Sequence, residues 1–171
     1  MDLLKRLFGG STPSASSGSK LDTFTIQYPN GKTPVAVRVK LTTPGVQIVE
    51  SLNLAHPVPT IFISGGAGNM DVNAMSLTRT TIEDGLARFL HEQGISLIDG
   101  GTSTGVMSLI GLARQRRNYR FPLIGVAPEA VVYYPGHEPK KRLADLDAFH
   151  SHFLLTEGDD FGAESDTIVH T

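Results

Sequence analysis

Between residues 24 and 39 apolar and polar side chains alternate: Phe24, Ile26 and Tyr28 in one run, Val35, Val37 and Val39 in the next. A period of two gives each run one buried and one wet face. Asn30 and Gly31 lie between them, a pair suited to the positive φ values of a tight turn. The pattern predicts an antiparallel hairpin at the edge of the main sheet, and Pro34 suits the start of an edge strand. The rhythm then changes. Val58 to Ser64 is nearly continuous in apolar residues and closes on Gly65 and Gly66. Ile95 to Ile98 leads through Asp99 to Gly100 and Gly101, and Phe121 to Val126 and Phe153 to Leu155 are two further runs. Runs without alternation are covered on both faces. Ile82, Leu86, Phe89 and Leu90 share one face of a helix. Thr80 with Glu83 reads as a capping box at its start and Gly94 as its stop. Thr102 or Ser103 reads as the cap of a second helix through about Tyr119.

Apolar runs alternating with helices build βαβ units and a parallel sheet. The expected fold is therefore α/β: a Rossmann-like three-layer domain with a mostly parallel sheet and an N-terminal antiparallel hairpin. The pattern supplies about four parallel strands after the hairpin, where a doubly wound sheet usually continues for one or two more. Glu164 to Thr171 reads as the opening of a further helix, so the C-terminal part of the domain is expected to be incomplete, in a truncated chain or one completed by a partner subunit. Residues 9 to 20 are Gly/Ser-rich and almost uncharged, which predicts a flexible tail or linker over 1–20 and a nucleotide-binding domain over 21–171.

The bulk numbers narrow the function. With 171 residues, 40% hydrophobic and 19% charged, the chain is long enough for one domain with a core. A formal net charge of -2 is too balanced for a nucleic-acid surface. The chain has no cysteine, which excludes disulfides and thiolate metal sites. No apolar run reaches the ~20 residues of a membrane span, and the opening MDLLKRLF is too short for a signal-peptide core. The expectation is a cytoplasmic protein with no membrane span and no nucleic-acid partner.

The candidate chemistry sits in two loops, each where a strand hands over to a helix. The first holds Ser64, Gly65, Gly66, Ala67, Gly68 and Asn69; the second holds Gly100, Gly101, Thr102, Ser103, Thr104 and Gly105. Glycine lets the backbone turn sharply and approach a ligand, and the N–H groups and dipole of a helix start favour an anion. Tight turns alone would account for either loop. Two on successive strands, both with hydroxyls, point to a phosphate site. Residues 66–71 lack the third glycine of G-x-G-x-x-G, and no G-x-x-x-x-G-K-[ST] element is present. Ala67 to Ser76 is long for a βα connection and is either a closing segment or a plain surface loop.

Elsewhere bland readings compete. Arg114, Arg116, Arg117 and Arg120 suit a helix C-terminus. Tyr133, Tyr134 and His137 fall in a strand-end loop, where stacking on a base and ordinary packing are both open. His150 and His152 share a face if the strand begins there, but no third ligand makes a metal site, and His152 is expected to bond to backbone or ligand. Glu157, Asp159, Asp160, Glu164 and Asp166 read as a solvated loop and helix start, one carboxylate being available to ribose hydroxyls.

The two glycine loops, followed in order by Ile124-Gly125-Val126-Ala127-Pro128 and His150-Ser151-His152-Phe153-Leu154-Leu155, resemble the prokaryotic branch of the SLOG superfamily that is similar to the N-terminal domain of TRPM channels (LSDAT). The resemblance runs from about residue 58 to the end. It implies a Rossmann-like fold that recognises nucleotide-derived ligands, ADP-ribose in channels of the ADP-ribose-gated kind. It implicates Ser64, Gly65, Gly66, Asn69, Gly101, Thr102 and Gly105, and places the loop around Tyr133 and Glu164 near the ligand. The channels hold the phosphates with arginines; the corresponding loop here reads Val131-Val132-Tyr133-Tyr134-Pro135-Gly136. The leading expectation is a sensor without catalysis for ADP-ribose or a cyclic form, with no other cofactor, assembling as a homo-oligomer or acting on an effector domain or protein. The alternative is a LOG-like phosphoribohydrolase acting on nucleoside monophosphates, although no glutamate follows the Gly105 loop closely. A bulky residue at Gly101 is expected to abolish binding and leave the fold largely intact.

Overall fold

The computed structural model describes residues 20–54, 59–64 and 71–162. Six strands form the main sheet: β1 (Thr23–Thr25), β2 (Val35–Val39), β3 (Thr60–Phe62), β4 (Ser96–Asp99), β5 (Leu123–Pro128) and β8 (His152–Thr156). Their spatial order is β1-β2-β8-β5-β4-β3. Only β1 and β2 pair antiparallel; every other pair is parallel. The expected hairpin is present, turned through Gly31 at φ 78 with its N–H bonded to the Tyr28 carbonyl. Its second strand is interior, because β2 also pairs with β8, so β1 alone forms that edge.

Three layers follow from the alternation of side chains along each strand. On one face Val37, Val39, Ile98, Ile124, Val126 and Leu154 pack with Ile48 and Leu52 of helix α1 (Gly45–Leu52). On the other, Leu97 and Leu123 pack with Ile82, Leu90, Ile110 and Ala113. Those side chains belong to a continuous helical stretch, α2 (Val72–Thr80), a π-helical turn (Thr81–Leu86) and α3 (Ala87–Gln93), and to α4 (Gly105–Arg116). Beyond them on the same face Ala36, Ala127, Phe153 and Leu155 meet Val131, Val132, Tyr134 and Leu146. This last group carries a small parallel pair, β6 (Val132–Tyr133) and β7 (Ala144–Asp145).

Helix α1 is absent from the sequence reading; Pro44 occupies its N-cap. The capping box is also corrected. Thr80 and Glu83 lie inside the helical stretch, which starts at Val72 with the Asp71 carboxylate accepting from Ala74 N at 2.8 Å. The connection that reads as a loop to Ser76 is therefore helical from Val72. The wider π turn carries Glu83 and Asp84, which meet Arg116 at 2.8 Å and Arg117 at 2.9 Å. Arg114 bonds the carbonyls of Phe121 and Phe149, so these arginines are structural. Gly94 closes α3 in the left-handed region, φ 64. Among the described residues no helix is long and apolar enough to cross a membrane.

Candidate functional site

Strand β4 is short. Asp99, its last residue, lies level with Gly125, while β5 runs three residues further to Pro128. The chain therefore turns over the face of β5 as it leaves β4. Gly101 makes that turn at φ 66, and a Cβ there would stand 2.8 Å from the Gly125 Cα and 3.1 Å from the Phe153 ring. Glycine is required twice over, by the backbone angle and by contact. The expectation that Gly101 tolerates a bulky residue is thereby corrected: its position belongs to the sheet's own packing.

A second segment straps the loop down. Asp147 N donates to Gly101 O at 2.9 Å and Ser103 N to Asp145 O at 2.8 Å, with an antiparallel bridge between Thr102 and Leu146. The Asp99 side chain completes the turn by accepting from Gly101 N at 2.7 Å. Between Asp99 and Asp147 lies His150, its side chain fully buried. Nε2 is 2.8 Å from Asp99 Oδ1 and Nδ1 is 2.9 Å from Asp147 Oδ2. A neutral imidazole donates from only one nitrogen, so two facing carboxylates call for the imidazolium. Burial opposes the charge, but the charges and hydrogen bonds of Asp99 and Asp147 outweigh it and push the pKa up to about 9. The ring stacks on Phe153, 5.4 Å between centroids. Asp147 also rests against Gly111 of α4, where no Cβ would fit. One buried cation thus joins the end of β4, the glycine loop, the strap and α4.

What the loop presents is the start of α4. Thr104 is the N-cap but makes no side-chain capping bond; its hydroxyl lies 3.0 Å from that of Thr102. The first-turn N–H groups of a helix have no acceptor within it, and the dipole adds partial positive charge. Ser103 and Thr104 are exposed, whereas Gly101, Thr102 and Gly105 are buried. The result is an anion-receptive end with hydroxyl donors, on a loop that cannot relax.

The predicted residues distribute unevenly about it. Ser64 lies just past β3, whose Phe62 is in register with Ile98, so it stands on the same edge beside Gly100. Gly65, Gly66, Ala67, Gly68, Asn69 and Glu164 lie outside the described residues. Tyr133 is joined to the strap through its pairing with Asp145, and the Arg142 guanidinium covers its ring at 4.0 Å. Tyr134 is core, bonded through its hydroxyl to Glu129 and stacked on His137. His152 opens β8 at the amino end of the strands, in register with Val35 and Ile124, so it does not join the loop. Its Nδ1 is 2.9 Å from Ser151 Oγ, and burial, with Arg114 nearby, pushes its pKa down to about 4. Sequence reasoning missed Asp99, Gly111, Gly125 and Asp147. The available signal was a charged residue ending an apolar run, and an Asp and a His three apart.

The family model described as SLOG in TRPM, prokaryote, matches residues 58–171, which takes in β3 to β8, the glycine loop and the strap. Domains of this kind are ligand-binding and nucleotide-related. The match covers most of the chain, and the Rossmann-like sheet agrees with it: the protein belongs to the prokaryotic family of SLOG domains akin to that of TRPM.

Proposed function

We propose that this domain is a sensor, binding ADP-ribose or a cyclic ADP-ribose with a phosphate at the start of α4, without turning it over. The observation that carries the reading is the rigid presentation of that helix end. A turn fixed by the Gly101–Gly125 contact and by a buried imidazolium is pre-organised, so little ordering cost falls on the ligand. Ser64, Ser103 and Thr104 supply hydroxyl donors at the rim. The imidazole of His150 is sealed away from any ligand, which suits a structural role and leaves proton transfer to no group on this loop. Ligand-driven assembly belongs to the same reading: Val72 and Leu77 are exposed apolar side chains on α2, next in the chain to edge strand β3.

The test is a thermal-shift titration of the chain with ADP-ribose, cyclic ADP-ribose, NAD and AMP, with chromatography of each mixture. ADP-ribose at a hundred times its dissociation constant is expected to add about 2.7 kcal/mol of stability and to be recovered intact. Release of free base from AMP would establish the phosphoribohydrolase reading in its place, and no shift with any of the four would sink both.

A further inference from the structure

A crevice lies on the carboxyl edge of the sheet, two strands from β4, where β2, β8 and β5 end. Its volume is about 860 Å³, within the size range of small-molecule sites. It straddles the edge, which is where open α/β sheets bind their ligands. We propose that this crevice is a separate binding site for an organic phosphate, with the phosphate at the start of α1. The inference stands apart from the glycine-loop reading and survives its failure.

Four features converge. The β2–α1 connection ends at Pro44, which caps α1 without any side-chain bond and lines the crevice with Thr43 and Gln47, so the start of α1, whose Gly45 and Val46 N–H groups have no acceptor within the helix, borders the crevice. Thr43 Oγ1 accepts from Lys40 N at 2.9 Å and keeps its own proton to donate. Lys40 lines the same wall, and its ammonium makes no ion pair among the described residues. The decisive group is Thr156. It ends β8 in register with Val39 and Pro128, and alternation with Leu154 puts its side chain on the α1 face. It lines the crevice at 2% exposure, and its hydroxyl has no hydrogen-bond partner. A buried hydroxyl without a partner costs free energy that valine, of nearly the same shape, would not. A hydroxyl buried there, in one crevice with a helix start, Thr43 and Lys40, is accounted for by an anion that completes it.

The opposite wall fixes the rest of the ligand. Arg38 is already committed: it bonds Glu129 through two nitrogens and Asp22 through a third, at 2.6 to 2.9 Å. Burial tends to raise the Glu129 carboxyl, but the Arg38 and Tyr134 bonds hold it below its ordinary value, so this wall is a closed ion network and not a free cation. Val39 and Leu155 give an apolar floor for a ring or alkyl body. Glu157 offers an acceptor for hydroxyls. The chemistry is that of a phosphomonoester with an apolar body and free hydroxyls.

The experiment is an amide NMR titration of the whole chain with AMP, with inorganic phosphate and adenosine as half-ligands, in the wild type, Thr156→Val and Lys40→Gln. AMP and phosphate are expected to move the amides of Thr43, Gln47 and Thr156 saturably, and adenosine to leave them unmoved. Thr156→Val is expected to raise the melting temperature of the free protein and to weaken AMP at these amides about tenfold. Lys40→Gln, on the surface, is expected to weaken it several-fold with the fold untouched. AMP shifts confined to residues 101–107 would support the glycine loop and overturn the crevice site. Unaltered affinity in both variants would also overturn it.

Discussion

His150→Gln is expected to cost about 3–5 kcal/mol of unfolding free energy, the range found when one partner of a buried ion cluster is removed. The loss comes from what remains: Asp99 and Asp147 lose the cation they share in a site with almost no water access. Asp99 Oδ2 already has no partner, so that carboxylate depends on His150 and the Gly101 N–H through its other oxygen alone. Adding Asp99→Asn and Asp147→Asn to His150→Gln is expected to recover part of the stability, because no buried charge is then left unpaired. If urea denaturation shows no recovery, His150 acts by packing on Phe153 and not by charge. The single variant is also expected to weaken any ligand of the α4 helix end, since the strap loses its anchor.

The same histidine sets an alkaline limb of stability, and His152 an acid one. His150 rises from 6.5 to about 9 on folding, so its contribution is whole below pH 6.5 and is lost as pH climbs through about 9. His152 falls from 6.5 to about 4, so its contribution is whole above pH 6.5 and is lost as pH drops toward about 4. The melting temperature should therefore peak near neutrality, with opposite slopes assigned to residues only two apart. Removing His150 should flatten the alkaline limb and His152→Asn the acid limb; a curve unchanged above pH 7 in His150→Gln would refute the imidazolium.

The layers of the domain are legible in the sequence because strands covered on both faces leave unbroken apolar runs. Four such runs became β3, β4, β5 and β8, and the hairpin announced itself through period two and Asn30-Gly31. The second glycine loop was equally visible as a motif. What holds it was not. Asp99, Asp147 and His150 meet across 51 residues of chain, and no local pattern marks a contact between Gly101 and a glycine in another strand. His152 drew notice for its neighbour, yet strand register decides the matter: β8 begins at His152, so its side chain points from the wrong end of the sheet. Helix α1 is short, eight residues behind a proline N-cap that makes no side-chain bond, so no capping signal marks its start in the sequence.

Gly125→Ala and Gly101→Ala are expected to be strongly destabilising, and less than additive together. At Gly125 the cause is contact alone: a Cβ would stand 2.5 Å from the Gly101 Cα and 2.8 Å from two Phe153 ring atoms. Backbone and a buried ring cannot withdraw, so the cost is about 2–3 kcal/mol, typical of an overfilled core. At Gly101 the same contact is joined by a φ of 66, which adds about 1 kcal/mol or more for any residue with a side chain. Once either alanine has lifted the loop from β5, the second meets a gap already opened, so the double variant should fall short of the sum by about 1 kcal/mol or more. Gly85→Ala is the control. It lies in a helical turn with nothing within 4 Å of the added carbon, and should be neutral or slightly stabilising. Strict additivity in denaturant titrations would mean that the two glycines serve separate turns; coupling would mean that one contact carries the loop, and with it the position of the α4 helix end.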